Sequence, residues 1–437
     1  MRHFFNTMKT EQLYDLFRQS TGIATDSRTV KKGNLFFALW GETYNGNKFA
    51  AEALKKGASW AVIDDSVFET DGTVLVDDCL LELQALATFY RKQLNIPVLA
   101  ITGTNGKTTT KELITAVLGK KFKTHSTKGN LNNHIGVPLT LLAAPQDTGF
   151  MIIEMGASHI GEIRNLCLIA RPDYGLITNI GTAHIEGFGS NEGVIKAKTE
   201  LYEYLRKVNG VAIYDDMNPL LTEKIFKNIN RAVPYSDPDG IELIVEAVPS
   251  DLNLVLSVKY HHEDHRVNTR LFGHFNIENI KAAIATGLFF EVPMKDIIKA
   301  IESYIPDNNR SQVSKTRVNT LICDSYNANP SSMSAALESF SALIAERKMI
   351  ILGDMLELGD KAEEEHSKLL ATLERCKADS ILLVGPIFRK VAEKAGYISF
   401  SDVDMLKEYL KKEQFTGYTV FIKGSRGIGL EKIYDLI

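Results

Sequence analysis

The chain has 437 residues and a mass of 48.6 kDa, which at about 150 residues per domain divides into two to four domains. With 44% hydrophobic and 24% charged residues it has the make-up of a folded globular protein, which excludes global disorder. Lys and Arg total 50 against 54 Asp and Glu, a net charge of −4, so there is no broad basic face for nucleic acid and any phosphate site must be local.

Residues 1–94 read as a small α/β unit. Short apolar strands at 35–38, 60–63 and 73–76 alternate with helical patterns near 10–17, 47–56 and 80–94. Asn95-Ile96-Pro97 then makes a joint, because a residue before proline is pushed out of helical geometry. A second segment, 95–311, places apolar blocks at 98–101, 150–155, 174–180 and 211–214 between helical stretches, the pattern of a mostly parallel sheet covered on both faces. Residues 241–272 break that rhythm and predict an antiparallel hairpin of two strands, appended to this sheet, with the polar HHEDH at its tip. The third segment, 312–437, repeats strand then helix from 320–323, 349–352, 381–384 and 418–422, a doubly wound unit. The expected architecture is therefore α/β throughout: a small first unit, a central phosphate-loop sheet and a Rossmann-like third unit.

The longest uninterrupted apolar run, 35–40, is far short of the roughly 18 residues a membrane span needs. The start, MRHFFNTMKTEQL, has positive charge without an apolar core, so neither a signal peptide nor membrane insertion is expected. Cys79, Cys167, Cys323 and Cys376 are widely spaced and form no C-x-x-C pair, as for buried thiols in a reducing cytosol.

The strongest signal is Ile101-Thr102-Gly103-Thr104-Asn105-Gly106-Lys107-Thr108-Thr109, after a strand and before a helical run. Glycines let backbone N–H groups turn inward around phosphate oxygens, Lys107 supplies positive charge, and Thr108 offers a hydroxyl to Mg²⁺. The spacing departs from G-x-x-x-x-G-K-[ST], since position 101 is Ile and the first glycine is Gly103. In an open parallel sheet, ligands collect beyond the carboxyl ends of the strands. Glu154 ends the block FMIIE and His184 follows the block ending in TNIGT, so both belong to the same rim as the loop. Taken singly, each would read as a solvated carboxylate or an ordinary histidine; beside a phosphate loop they suit Mg²⁺. Lys196 and Lys198, two apart on one helix, face different ways, so only one reaches the site. His261, His262 and His265 suit a hairpin tip better than a metal site, lacking a cysteine or a second ligand pair.

TGTNGKTTTKE, with KGNLNNHIGVPLTLL, EMGA and TNIGTAHIEGFGS, resembles the Mur ligase superfamily, cytoplasmic enzymes that build the peptide of bacterial peptidoglycan. DSYNANPSSM, ILGDMLELG and IKGSRG resemble the branch that adds D-alanyl-D-alanine to UDP-N-acetylmuramoyl-tripeptide. The resemblance runs from Thr25 to Gly427 and implies an ATP-dependent ligase working through an acyl phosphate. It implies that Thr25, Asp26, Ser27, Arg28, Asn45 and Gly46 lie near the uridine diphosphate, and that Asn130, Asn132 and Asn133 face the muramoyl part. Gly103, Thr104, Asn105, Gly106, Lys107, Thr108 and Thr109 would bind the ATP phosphates. Glu154 and His184 would hold magnesium, two ions being expected, and Lys198 would carry a carbamate formed from CO₂. Asn276 and Asn279 would lie near the adenine, Arg310 and Asp324 would reach the nucleotide, and Tyr326, Asn327 and Asn329 would form the dipeptide site. The chain departs from the family at Asn47 and Phe275, where histidine is frequent. Small-molecule substrates, no nucleic acid and a monomeric state complete the expectation. An enzyme adding the third peptide residue would typically carry Asp-Asn-Pro-Arg, absent here. A non-catalytic nucleotide switch would leave Glu154, His184 and Lys198 without a role.

Overall fold

The short apolar blocks of the first segment pair side by side. The computed structural model describes residues 8–181 and 185–437. Strands Ile23–Ala24, Leu35–Phe37, Trp60–Ile63 and Thr73–Leu75 form a four-stranded parallel sheet in that order. Helix Cys79–Leu94 starts where the Asp78 side chain accepts the Leu81 N–H, and stops where Asn95 turns left-handed at φ 44°. This helix bridges to the next segment: the Tyr90 hydroxyl donates to Ala144 O at 2.7 Å, and Arg91 Nη2 to Asp173 Oδ2 at 2.8 Å. Leu83 and Leu86 share one core with Val98, Leu141 and Leu201.

The second sheet has six parallel strands in the order Ala232–Pro234, Val211–Tyr214, Tyr174–Ile177, Val98–Thr102, Phe150–Glu154, Thr124–Ser126. Its central strand is buried throughout. Side chains alternate across a strand, so Val98 and Ala100 enter the core under helices Cys79–Leu94 and Asn191–Val208, while Leu99 and Ile101 pack with helices Lys107–Leu118 and Ile277–Phe289. Covering both faces lets these strands read as continuous apolar blocks.

The hairpin differs from its expected form. It has three antiparallel strands, Ile244–Val248, Asn253–Tyr260 and Glu263–Phe272, and its edge joins the third sheet, not the second, through the pair Leu271↔Gln312. The reason is apolar: Phe272 packs with Ile322, Phe340 and Phe421 of the third core, its ring centroid 6.2 Å from that of Phe421. His261 and His262, at φ 52° and 64°, form the two-residue turn whose twist matches the flanking strands.

The resulting nine-stranded sheet continues through Gln312–Lys315, Thr320–Asp324, Thr419–Lys423, Lys348–Gly353, Ser380–Val384 and Ile398–Phe400. From Thr320–Asp324 onward its pairings are parallel, and two cores cover its faces. Asp354 of the GDMLELG motif is fully buried and accepts the N–H groups of Ile387 and Phe388 at 2.9 and 2.8 Å, so this carboxylate caps helix Pro386–Ala395. All four cysteines are buried and free. Among the described residues no helix is long and apolar enough to cross a membrane.

Candidate active site

The phosphate loop leaves the central strand and enters helix Lys107–Leu118 with two glycines at positive φ, Gly103 at 143° and Gly106 at 79°. Both are sterically required. A Cβ on Gly103 would sit 2.0 Å from Thr178 Oγ1, and one on Gly106 2.3 Å from Asn279 Oδ1. No side chain caps the helix start, so its first N–H groups remain for an anion. Gly106→Ala should therefore weaken ADP binding by about tenfold or more, since a left-handed alanine costs roughly 1–2 kcal/mol before Asn279 is displaced. Calorimetric titration of ADP into the variant checks this.

TNIG braces the loop from behind. Asn105 N–H donates to Asn179 Oδ1 at 3.0 Å, Thr104 N–H to Asn179 O at 2.9 Å, and Thr178 Oγ1 to Asn105 O at 2.6 Å. Lys107 Nζ folds over the loop onto the carbonyls of Gly103 and Thr104, at 2.7 and 2.9 Å. Burial lowers its pKa to about 8; Glu154 acts in the opposite direction, and Arg310 adds to the lowering.

The loop opens on a cavity of about 1160 Å³ between the second and third segments. Of the residues singled out from sequence, its lining includes Thr104 to Thr109, Asn130, Asn132, Asn133, Glu154, Asn276, Asn279, Arg310, Asp324, Tyr326, Asn327 and Asn329. Gly103 lies behind this lining as the strand-to-loop turn. Glu154 is 2% exposed; Asn132 Nδ2 donates to its Oε1 at 2.8 Å, while Oε2 is buried with no hydrogen-bond partner. An orphaned carboxylate oxygen on a phosphate-binding cavity fits a divalent cation. Among the described residues no three His, Cys, Asp or Glu side chains converge as a metal cluster, so a cation here would draw its other ligands from phosphate oxygens, hydroxyls and water.

The third segment touches the loop directly. Asn329 Nδ2 donates to Asn105 Oδ1 at 2.8 Å, and Asn105 Nδ2 to Ser331 Oγ at 2.9 Å. Asn329 also caps helix Pro330–Ala342. Arg310 lies 3.8 Å from the Tyr326 ring centroid, with its Nε buried and unpartnered, between Asn309 and Ser311, both at positive φ. Asp324 pairs with Lys423 Nζ at 2.6 Å and accepts the Ser311 N–H at 3.1 Å. Asn279 Nδ2 donates to Asn276 Oδ1 at 2.8 Å, so this pair reaches the cavity as one unit.

Lys198 is 2% exposed on helix Asn191–Val208, whereas Lys196 is exposed. It sits outside the cavity lining, with Nζ 5.5 Å from the Phe188 ring centroid. Burial, and then the charge of Lys107, lower its pKa to about 7. His184 lies outside the described residues.

Thr25, Asp26, Ser27, Arg28, Asn45 and Gly46 form a separate group on the first segment and do not line this cavity. Arg28 Nη2 pairs with Asp26 Oδ2 at 2.6 Å, and the Arg28 hydrogen bond draws the Asp26 pKa down to about 2. Asn45 accepts the Asn47 N–H at 2.9 Å, and Gly46 passes so close to the Leu39 carbonyl that a Cβ would lie 2.2 Å from it. The departure at Asn47 is structural: its buried amide donates to Asp64 Oδ1 at 2.7 Å and accepts the Asp64 N–H at 3.0 Å. Phe275, the other departure, lines the cavity. Sequence reasoning assigned no role to Asn179, Ser331, Lys423 or Lys56, whose Nζ holds Ser27 O at 3.1 Å. Asn179, Ser331 and Lys423 at least lie inside motif stretches, whereas Lys56 stands in none.

A phosphate loop on a parallel sheet, facing a cavity closed by a separate doubly wound unit, defines a nucleotide-using α/β enzyme. Residues 19–98 match the Mur ligase family catalytic domain, 101–287 the Mur ligase middle domain, and 309–426 the Mur ligase glutamate ligase domain. A UDP-N-acetylmuramoyl-tripeptide–D-alanyl-D-alanine ligase of Bacillus subtilis (strain 168) is 36% identical over 431 residues, covering 95% of this chain and 93% of its own. The protein of that name from Escherichia coli (strain K12) is 32% identical, covering 94% and 92%. A crystal structure of MurF from Acinetobacter baumannii superposes with TM-score 0.84 at 29% identity, over 98% of each chain. The chain belongs to the Mur ligase family.

Proposed function

We infer that the chain is an ATP-dependent ligase that joins D-alanyl-D-alanine to UDP-N-acetylmuramoyl-tripeptide in the cytoplasmic synthesis of peptidoglycan precursors. Full-length similarity to relatives of that name supports the substrates. The observation that carries the mechanism is the single cavity shared by Lys107 and Glu154 of the second segment with Asp324, Tyr326, Asn327 and Asn329 of the third. Such a cavity can hold a triphosphate at one wall and an incoming amine at the other.

The reaction must bring a carboxylate against an anionic γ-phosphate. Two unit charges about 4 Å apart repel by roughly 4 kcal/mol at an effective dielectric of 20, and the phosphate carries more than one charge. Lys107 and the helix N-terminus offset this repulsion and hold the transferring group in line. The tripeptide carboxylate oxygen bonds to the γ-phosphorus, ADP leaves, and an acyl phosphate results. The unprotonated dipeptide amine then attacks the acyl carbon; phosphate departs with its bridging oxygen, and the nitrogen loses a proton as the amide forms.

Thr108, Glu154, His184 and a carbamylated Lys198 would hold two Mg²⁺ ions. When bound, these neutralise phosphate charge. Carbamylation suits Lys198 because CO₂ adds only to an unprotonated amine, and burial favours that form. Residues 1–94 would hold the UDP-sugar through Thr25, Asp26, Ser27, Arg28, Asn45 and Gly46, with Asn130, Asn132 and Asn133 toward the muramoyl group. Residues 95–311 would hold ATP through Gly103 to Thr109, with Asn276 and Asn279 near adenine and Arg310 and Asp324 at the nucleotide. Residues 312–437 would place the dipeptide against Tyr326, Asn327 and Asn329. A monomer supplies every one of these groups.

The test is phosphate release from ATP. Turnover is expected only with both UDP-N-acetylmuramoyl-tripeptide and D-alanyl-D-alanine present; turnover with glutamate or a free diamino acid in place of the dipeptide would overturn the assignment. Comparing tripeptides ending in lysine and in diaminopimelate identifies the third residue.

A further inference from the structure

Lys111 is an unexplained charge beside the site. It lies one helical turn after Lys107 on the same face, and its side chain is fully buried. Lysine is almost never fully buried without partners. Its Nζ donates to Thr127 O at 2.5 Å, pairs with Glu112 Oε1 at 2.8 Å, and stands 4.0 Å from Glu154 Oε2. Thr127 faces both ways: its carbonyl takes the Lys111 ammonium, and its hydroxyl accepts the Glu154 N–H at 2.9 Å. The helix after the phosphate loop, the strand ending in Glu154 and the residue after strand Thr124–Ser126 therefore close into one ring.

The 4.0 Å separation is the informative quantity. It is close enough for charge compensation but too long for a hydrogen bond, so Glu154 Oε2 keeps its lone pairs while its charge is balanced. A lysine in direct contact would block that oxygen, and without Lys111 the buried carboxylate would be opposed only by Lys107, whose ammonium is held on the loop carbonyls. We propose that Lys111 is a positioning residue: a fixed counter-charge that holds the Glu154 carboxylate in place, with Oε2 free, until a divalent cation arrives to share it. This rests on Glu154 being a cation ligand. It extends that reading to a residue that touches neither nucleotide nor substrate.

The consequence is counter-intuitive. Lys111 repels the arriving cation, so removing its charge should tighten metal binding while destabilising the metal-free protein. Mn²⁺ titrated into the full chain with ADP, followed by electron paramagnetic resonance, reads the affinity; thermal melts with and without Mn²⁺ read the stability. Lys111→Gln keeps a donor for Thr127 O but loses the charge. It is expected to tighten Mn²⁺ by about tenfold or more, to melt lower without metal, and to regain most of that loss with Mn²⁺. Lys111→Arg keeps the charge, and although its larger fork strains this buried site it should show none of the gain in Mn²⁺ affinity expected of Lys111→Gln. If Lys111→Gln does not fold alone, the double variant with Glu154→Gln decides the matter: no buried charge is then left unbalanced, since Glu112 is 35% exposed and can be solvated, so it should fold, and its failure to fold overturns the proposal. Unchanged or weaker Mn²⁺ affinity in Lys111→Gln also overturns it, while Glu154→Gln weakening Mn²⁺ leaves the ligand assignment standing. If Glu154→Gln has no effect on Mn²⁺, the ligand assignment falls first and takes this role with it.

Discussion

If Lys198 carries the proposed carbamate, replacing it with methionine is expected to lower kcat on the order of 100- to 1000-fold, the loss typical of removing one preorganised charge that acts on the reaction, while the protein stays folded. Methionine keeps most of the volume and removes an amine that the fold buries at a cost. The stability readout has a definite sign. Burial holds the folded amine at about 7 against an ordinary 10.5, so between those values the unfolded chain binds more protons and stability rises with pH. Below 7 both states are protonated and the full penalty stands. Lys198→Met should therefore melt higher than wild type near pH 6.5 and show a flatter dependence up to pH 10. In parallel, wild-type enzyme depleted of CO₂ should lose ligase activity and regain it on adding bicarbonate, with a carbamate signal from ¹³C-labelled bicarbonate. A Lys198→Met enzyme with full turnover, or a wild type indifferent to CO₂, would remove the carbamate from the mechanism.

The second large effect concerns Lys107. Lys107→Met should reduce kcat by about 1000-fold, with a much smaller change in ADP affinity, because the loop's backbone donors and the helix N-terminus remain. In the structure the ammonium is held by Gly103 O and Thr104 O, neutral acceptors it can exchange for phosphate oxygens as charge builds on the transferring group. Lys107→Arg should not restore activity, since a planar fork cannot occupy the space of a compact ammonium. Rapid-quench measurement of acyl phosphate formation checks this; a variant that makes the intermediate at the normal rate would place Lys107 in binding alone.

Much of this was legible beforehand for a physical reason. Buried parallel strands must be apolar along their length, so Val98–Thr102, Phe150–Glu154, Tyr174–Ile177 and Val211–Tyr214 stood out in sequence. Their neighbours Thr124–Ser126 and Ala232–Pro234 are three residues each, at the sheet edges and largely half-buried or exposed, and carry no such pattern. Gly103 and Gly106 announced the loop because no other residue fits their backbone. Asn179 and Lys111 stand inside quoted motifs, but their roles exist only across the fold. Asn179 braces a loop 74 residues away, and Lys111 meets Thr127 and Glu154 from another element. The hairpin's sheet is illegible in sequence for the same reason: alternation reveals a strand, whereas its partner is decided by which core receives Phe272.

That attachment has a mechanical meaning. The three-stranded meander packs its apolar face on the helices of the second segment, through Leu256, Val258 and Val267, yet it meets the third sheet along a border only one residue pair long. A ladder bond is worth about 1 kcal/mol net, so the backbone pairing at this border contributes less than the burial of the Phe272 ring in the third core. The meander is thus held to the second segment by its apolar face and to the third by Phe272, so it straps the two together.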